Sequence, residues 1–284
     1  MTVLGVHEML RSQVCTQQAM ESPEFREIAA ILDPTRYIET HRKLWEWCFI
    51  AEALRQDGAL RIGNNGLGFA VGTEPLVSYF ASFGPDILAT DLGGPEAAEK
   101  GWIETGQHAE GRLSNHFCTS PRFAKAVEYR SVDMTSIPAD LAGKFSFVWS
   151  ACALEHLGTI EAGLEFVLKS LDCLDKEGIA VHTTEFNISS DTDTVEEGPT
   201  VIYRRRDIEL LQKRARQRGW IIDLDWSFGS MPLDYHVDFP PYSKDNHLKL
   251  RLFDHTCTSI GLILKHKDRA TRLPVSHDSR LFAL

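Results

Sequence analysis

The fold is decided by residues 61–92, which read RIGNNGLGFAVGTEPLVSYFASFGPDILATDL. A short apolar run at 59–62 precedes a glycine-rich segment, and a helical stretch follows at 74–83. A second apolar run, 87–89, ends at Asp91. In chain order the pattern is a strand, a glycine-rich turn, a helix, a second strand and an acid, which is typical of a βαβ unit.

The glycines Gly66, Gly68 and Gly72 have a physical role in such a pattern. Glycine lets the backbone approach a bound ligand closely, and a helix N-terminus offers unpaired N–H groups. A carboxylate at the tip of the next strand, here Asp91, can accept both hydroxyls of a ribose. The stretch therefore predicts a site for a nucleotide-type cofactor.

Length and composition limit the remaining possibilities. The chain has 284 residues and a formal net charge of −10, so it lacks the basic footprint of a nucleic-acid binder. No apolar run reaches the roughly 20 residues that a membrane span needs, and the N-terminus does not read as a signal peptide. The 6 cysteines are scattered without a CxxC pair, which predicts reduced thiols and a cytoplasmic location rather than a disulfide frame or zinc site.

The first 57 residues look helical. Between His41 and Leu54 the apolar positions recur at spacings of three and four, with charged residues on the other side. We expect a helical extension over 1–57, either packed on the core or acting as a lid, followed by the main domain over 58–284.

Apolar runs and amphipathic stretches then alternate with a period of roughly 30 residues, as in βαβ units. The last two strands have no helical pattern between them, so the final strand could run antiparallel. The pattern predicts an α/β fold with a mostly parallel sheet. The predicted strands after the first two are 128–132, 145–150, 179–183, 220–226 and 256–265, and the predicted helices are 159–174 and 207–218.

Five features stand in order along the chain: the glycine-rich turn, Asp91, Asp133 at the end of a third strand, FSFVWSACALEHL from residue 145, and LKSLDCLDKEGIAVHTTEF from residue 168. Together they resemble the class I S-adenosylmethionine-dependent methyltransferases over residues 59–265. The string 145–185 is the most specific part of the likeness. The resemblance implies a Rossmann-like, seven-stranded, mostly parallel sheet with helices on both faces.

The same resemblance implies roles for residues at the cofactor. Asp91 would bind the ribose hydroxyls, and Asp133 would accept the adenine amino group. Gly66 and Gly68 would lie beside the amino-acid part of the cofactor. Leu92 or Met134 would pack on the adenine ring, and Ser150 and Ala151 would line the floor below the methyl group.

One position departs from the family pattern. Asn64 stands two residues before the first glycine, where the family often has an acid. Glu74 could supply the missing charge toward the ammonium group of the cofactor. Alternatively, Glu74 is simply a carboxylate favourably placed at a helix N-terminus.

Three residues are candidates for catalysis. His156 follows the fourth strand, and an imidazole with a pKa near neutrality suits the removal of a proton from an acceptor hydroxyl. Its alternative role is packing at a helix start. Glu155 could orient His156 or contact the cofactor, and Glu185 lies near the tip of the fifth strand.

The leading functional hypothesis is O-methylation of a small-molecule or glycan hydroxyl, in glycan or natural-product biosynthesis, with S-adenosylhomocysteine as the second product. N-methylation of a small amine, a nicotinamide-dependent oxidoreductase and a non-catalytic cofactor-binding protein are the alternatives. A divalent metal stays open but is not favoured, because the carboxylates and histidines show no compact spacing. A homodimer is also left open.

Overall fold

The computed structural model describes residues 9–36, 39–99, 113–118, 121–243 and 245–270. Its strands are β1 (Ser12–Val14), β2 (Asn65–Phe69), β3 (Asp86–Asp91), β4 (Val127–Ser131), β5 (Phe145–Ala151), β6 (Leu174–Asn187), β7 (Trp220–Ile222), β8 (Leu224–Asp225), β9 (Leu250–Leu252) and β10 (His255–His266). Its helices are α1 (Gln17–Met20), α2 (Pro23–Leu32), α3 (Arg42–Asp57), α4 (Leu76–Ser82), α5 (Gly94–Glu99), α6 (Arg122–Ala126), α7 (Ile160–Ser170), α8 (Arg205–Gln217) and α9 (Lys267–Ala270). None of these helices is both long and apolar enough to cross a bilayer.

The strands form one sheet in the order β4-β3-β2-β5-β6-β10-β1-β8, and β7 and β9 also pair with β10. Strands β4, β3, β2, β5 and β6 are mutually parallel, whereas β10 is antiparallel to β6. The predicted α/β, Rossmann-like, mostly parallel sheet is confirmed, and so is the antiparallel last strand. Strands β2 to β7 and β10 account for the seven expected strands, and the short strands β1, β8 and β9 are additions.

Helices cover both faces of the sheet because side chains alternate along each strand. On β5, Phe147 and Trp149 join a core cluster with α2, α3 and α4. Val148, between them, joins a second cluster with α7 and α8. The chain runs outward from β2 to β4 and then returns to β5 on the other side of β2. The sheet therefore has a switch point between β2 and β5, and ligands of open α/β sheets bind at the carboxyl ends of the strands there.

The predicted first strand at 59–62 is wrong. These residues form turns, Ile62 is 81% exposed, and the strand β2 begins only at Asn65. Gly66 and Gly68 consequently lie inside β2, directly opposite Phe147 and Trp149 of β5. A Cβ atom on Gly66 would lie 2.3 Å from the Phe147 ring, and one on Gly68 would lie 2.4 Å from the Trp149 ring. These two glycines make room for large aromatic neighbours.

The first 57 residues are not purely helical, since β1 pairs with β10 and thereby belongs to the main sheet. The helix expected over 41–54 is confirmed as α3, which ends at Gly58 with a φ of 71°. Its charged side is buried as well as its apolar side: Glu46 and Glu52 are 0% and 1% exposed. Helix α3 is thus enclosed by the domain rather than lying on its surface.

The contact between α3 and β10 allows a test of this packing. A Cβ atom added to Gly261 of β10 would lie 2.3 Å from the ring of Phe49 on α3. We expect Gly261→Ala to lower the free energy of unfolding by about 1–3 kcal/mol, the usual cost of overpacking a core.

Combining Gly261→Ala with Phe49→Leu should recover part of that loss, because leucine withdraws the ring atoms that the new methyl group meets. A double-mutant cycle by denaturant unfolding measures the coupling. Strictly additive effects of the two substitutions would contradict the packing described.

Candidate active site

A cavity of about 330 Å³ lies at the carboxyl ends of β2 to β5, where the switch point of the sheet places a ligand. Helix α3 forms its other wall. The lining residues are Lys43 and Trp47 of α3, Ala70 and Gly72 to Glu74 after β2, Asp91 and Leu92 at β3, Val132 to Met134 after β4, and Ala151 to Ala153, His156 and Leu157 at the end of β5.

The loop after β2 is the glycine turn that faces the cavity. Ala70 and Gly72 have φ angles of 48° and 52°, in the left-handed region that turns the chain sharply. The N–H of Gly72 donates to Oδ2 of Asp91 at 3.3 Å. The turn that faces the cavity therefore lies at residues 70–74, two to six residues after Gly68.

Asp91 is the last residue of β3, and backbone donors fix its side chain. Oδ2 accepts from the N–H of Gly72, and Oδ1 accepts from the N–H of Leu92 at 2.8 Å. Hydrogen bonds from backbone amides hold a carboxylate in one rotamer. Asp91 is thus held at the cavity wall as a fixed acceptor.

Asp133 stands at the next strand tip. Its Oδ1 accepts from both the N–H and the hydroxyl of Thr135, at 2.7 and 2.8 Å. Val132 and Met134 on either side are only 4% and 6% exposed, so they form an apolar wall. A carboxylate beside apolar side chains suits a flat base that carries an amino group.

Glu74 lines the cavity and does not belong to a helical turn. Helix α4 begins at Leu76 with Pro75 as its N-cap, and its first turn contains no acidic residue. Burial, with smaller contributions from the charges of Glu46 and Asp91, raises the pKa of Glu74 to about 7, although Lys43 and the Trp47 side chain oppose that shift. The geometry thus favours the expectation that Glu74 serves a ligand over the one that it serves the helix.

Lys43 is the cation of this cavity. Its Nζ lies 3.1 Å from Oε2 of the fully buried Glu46. Burial alone would lower the pKa of Lys43, but the negative field of Cys152, Glu46 and Glu74 outweighs it and raises that pKa well above its usual value. Of these groups Glu46 is the one in direct contact with the Lys43 ammonium and is therefore its main partner, and burial raises the pKa of the Cys152 thiol.

His156 lies in the single helical turn Leu154–His156 that follows β5. Its Nδ1 is 2.9 Å from the carbonyl oxygen of Pro199. A carbonyl can only accept, so this bond requires the proton on Nδ1 and leaves the lone pair of the neutral ring on Nε2. That tautomer is the one a general base needs, and His156 lines the cavity.

The structure brings seven of the twelve predicted site residues to the cavity: Glu74, Asp91, Leu92, Asp133, Met134, Ala151 and His156. As the described residues define it, the cavity is not lined by Gly66, Gly68, Ser150, Glu155 or Glu185. The two glycines are occupied by strand packing.

Each of the other three has a buried polar partner behind the wall. Ser150 Oγ lies 2.8 Å from His182 Nδ1. Glu155 Oε2 accepts from the Thr184 hydroxyl at 2.9 Å. Glu185 forms an ion pair at 2.5 Å with Arg42 of α3.

Sequence reasoning missed Lys43, Trp47 and Cys152. Lys43 and its neighbour Arg42 occupy the first turn of α3, where cations oppose the helix macrodipole. Two unfavourably placed cations are a signal that their charge is needed for something other than the helix. The late aromatic residues Tyr235 and Phe239 are 74% and 60% exposed and do not line this cavity.

The structure also revises the interpretation of Asn64, which the sequence placed where the family often has an acid. Its side chain donates to the carbonyl oxygen of Ala59 at 2.8 Å, within the turn that precedes β2. Counted back from the true turn at Ala70, the position two residues earlier is Gly68 of β2. The position where the family often has an acid is therefore occupied by Gly68. Glu74, after the turn, is an acid that does line the cavity.

No protein-family model and no curated protein sequence matches this chain. Solved structures do superpose on it. A magnesium protoporphyrin IX methyltransferase from Synechocystis, with bound S-adenosylhomocysteine, matches 78% of this chain and 82% of its own, at 12% identity and a TM-score of 0.46. A 1,6-didemethyltoxoflavin-N1-methyltransferase from Burkholderia thailandensis matches 89% and 82%, at 12% identity and a TM-score of 0.44.

An S-adenosylmethionine-dependent methyltransferase from Clostridium acetobutylicum matches 85% of this chain and 98% of its own, at 15% identity and a TM-score of 0.43. Other matched chains are covered over as little as 50% of their length. At these TM-scores the superpositions are too loose to transfer an activity or a residue role to this chain.

The raised pKa of Glu74 gives a testable pH dependence. Folding moves this pKa up from 4.5 to about 7, so the folded protein holds a proton that the unfolded chain releases. The free energy of unfolding must therefore fall as pH rises between these two values. We expect Glu74→Gln to remove this loss. Near pH 8 the variant should be the more stable by about 2 kcal/mol, after a discount for the partial exposure of the side chain, and near pH 5 the difference should be small.

Denaturant unfolding of both proteins at a series of pH values measures the effect. A stability difference between wild type and Glu74→Gln that does not change between pH 5 and pH 8 would contradict the buried environment of Glu74.

Proposed function

We propose that this protein is an S-adenosylmethionine-dependent methyltransferase whose cofactor binds in the cavity between α3 and the tips of β2 to β5. The observation that carries the proposal is the charge pattern of that cavity. It combines three carboxylates, Glu74, Asp91 and Asp133, with a single lysine, Lys43.

The adenosine part of the cofactor fits the strand tips. Asp91, fixed by two backbone amides, is an acceptor for the two ribose hydroxyls. Asp133 offers a carboxylate to the adenine amino group, and Met134 and Leu92 offer apolar surface to the ring. These assignments follow the resemblance and are supported by the position of all four residues on one cavity.

The amino-acid part of the cofactor fits the remaining charges. It carries one ammonium and one carboxylate, and the cavity offers the carboxylate of Glu74 and the ammonium of Lys43. The sulfonium adds a second positive charge, which a cavity with more acids than bases favours. Its reactive methyl group is the chemistry that the cofactor would supply.

The same charge pattern argues against a nicotinamide dinucleotide. Its pyrophosphate carries two negative charges and is normally bound by backbone N–H groups at a helix N-terminus. Here Glu74 lies immediately before α4, and Asp91 acts on Glu74 with a like charge. A pyrophosphate would be repelled at this helix start.

Methyl transfer from a sulfonium requires alignment of the nucleophile and, for a hydroxyl acceptor, removal of its proton. His156 is our candidate base, because its Nδ1 donates to Pro199 and leaves Nε2 basic. We infer O-methylation of a small-molecule or glycan hydroxyl, with N-methylation of an amine as the alternative. A cytoplasmic location and a homodimer stay predictions.

Cofactor binding is tested first, by calorimetry on the full chain. We expect S-adenosylmethionine and S-adenosylhomocysteine to bind and NAD not to bind. Asp91→Asn should weaken binding about 10–100-fold, the value of losing charged hydrogen bonds to the ribose. Asp140→Asn, on the surface pair with Arg130, is the matched control and should leave affinity unchanged. Binding of NAD but not of the sulfonium would overturn the proposal.

The role of His156 needs a turnover assay. Sugars, phenols and amines are screened as acceptors by the release of S-adenosylhomocysteine. On the best acceptor we expect His156→Ala to reduce kcat about 100-fold or more, the usual contribution of a general base, with cofactor affinity retained. An unchanged kcat for His156→Ala would eliminate His156 as the base while leaving the cofactor site intact.

A further inference from the structure

A buried cluster of ligand-type atoms lies directly behind the cavity wall. Cys152 follows β5, Glu155 lies in the turn after it, and Glu185 is near the end of β6. Each residue can offer one ligand atom such that all three atoms lie within 4.8 Å of one another. Within the described residues this is the one cluster of that kind.

Two carboxylate oxygens of the cluster lack a partner. Glu155 Oε1 and Glu185 Oε2 are both buried, and neither accepts a hydrogen bond from any described residue. The residues themselves are 0% and 5% exposed. A buried acceptor without a partner costs about 1–3 kcal/mol, and more when it is charged, so two in one cluster are unexpected unless something else satisfies them.

The other oxygen of each carboxylate is already held. The Thr184 hydroxyl donates to Glu155 Oε2 at 2.9 Å, and Arg42 Nη2 lies 2.5 Å from Glu185 Oε1. Carboxylates that bind metals are commonly oriented in this way, with one oxygen on the ion and the other on a donor that fixes the side chain. The two unpartnered oxygens are thus the ones available to an ion.

The spacing within the cluster is that of a metal site. Cys152 Sγ lies 3.8 Å from Oε1 of Glu185, the oxygen that Arg42 holds, so the carboxylate is beside the thiol and its unpartnered Oε2 is on the same group. Two ligands at about 2.0–2.3 Å from one tetrahedral ion are about 3.3–3.8 Å apart. The three ligand atoms lie within 4.8 Å of one another, so they would have to close in by about 1 Å at most to share an ion.

The charge balance also favours a cation. Glu46, Glu155 and Glu185 are buried beside Arg42 and Lys43, so the acidic side chains outnumber the basic ones by one. A divalent ion neutralises that excess. Arg42 opposes it as a like charge: its guanidinium is bound to Oε1 of Glu185 and to Glu46, and its Nη1 lies 3.8 Å from Cys152 Sγ, so the ion would take over the contact between Arg42 and the thiol.

We propose that Cys152, Glu155 and Glu185 bind one divalent metal ion. A thiolate with two carboxylates suits zinc, which accepts both sulfur and oxygen ligands, and excludes magnesium and calcium as preferred ions. Because Cys152 also lines the cavity, the ion would lie directly behind the cavity wall. The site does not depend on the proposed methyl transfer, since it is defined and tested without cofactor or acceptor.

The test uses the full chain, freed of metal by a chelator, with cobalt(II) as a spectroscopic substitute for zinc. We expect a near-ultraviolet thiolate-to-cobalt charge-transfer band that saturates at one cobalt per chain, and one zinc per chain by equilibrium dialysis. Cys152→Ser should abolish the band. Cys173→Ala, which removes a buried cysteine outside the cluster, should keep it.

Glu155→Gln and Thr184→Val give a graded readout on the same assay. Glu155→Gln removes the charge of a ligand, whereas Thr184→Val removes only the donor that orients the Glu155 carboxylate. Zinc affinity should therefore fall in both variants, by about 10–100-fold in Thr184→Val and by more in Glu155→Gln. Wild-type protein without a band and without stoichiometric zinc would overturn the proposal, whatever the folding of the variants. A band that persists in Cys152→Ser would overturn it as well.

Discussion

The packing of α3 across β5, β6 and β10 is the interaction on which the site depends. Phe49 of α3 fills the space left by Gly261 of β10, and Arg42 of α3 forms a buried ion pair with Glu185 of β6. Removing one partner of such a pair costs about 3–5 kcal/mol, because the other charge stays buried and unpaired. The same helix supplies Lys43 and Trp47 to the cavity. Without it, the strand tips would form an open acidic edge and not a cavity.

The charges of this region fall into two groups with different consequences. In the cavity, Glu74, Asp91 and Asp133 outnumber Lys43, which favours a cationic ligand. Behind the wall, Arg42 and Lys43 compensate most of the charge of Glu46 and Glu185, but two carboxylate oxygens stay unpartnered. Cys152 lies between the two groups, because it lines the cavity and also belongs to the cluster with Glu155 and Glu185. A ligand in the cavity and an ion behind it would therefore influence each other through Cys152 and Lys43.

The sequence predicted the strand tips well and the first turn poorly, for physical reasons. Asp91 ends an apolar run and Asp133 follows the short strand candidate 128–132, and a strand pattern that ends in an acid indicates both the strand and its tip. The apolar run at 59–62 has the same local composition but no strand partner, so only the pairing register of β2 reveals that Gly66 and Gly68 accommodate Phe147 and Trp149. Likewise, helical periodicity identifies α3 but cannot tell which edge of the sheet it crosses. Glu185 lies 30 residues after Glu155, and only the pairing of β5 with β6 brings it beside Cys152.

We propose that the cavity between α3 and the strand tips binds S-adenosylmethionine or its product. Hydrogen–deuterium exchange of the full chain with and without S-adenosylhomocysteine tests it directly, because bound ligand slows exchange where it contacts or orders the backbone. We expect added protection at 70–74, 91–92 and 132–134, with little change in α8 on the far side of the sheet. Protection confined to other segments, or no protection at saturating ligand, would contradict it.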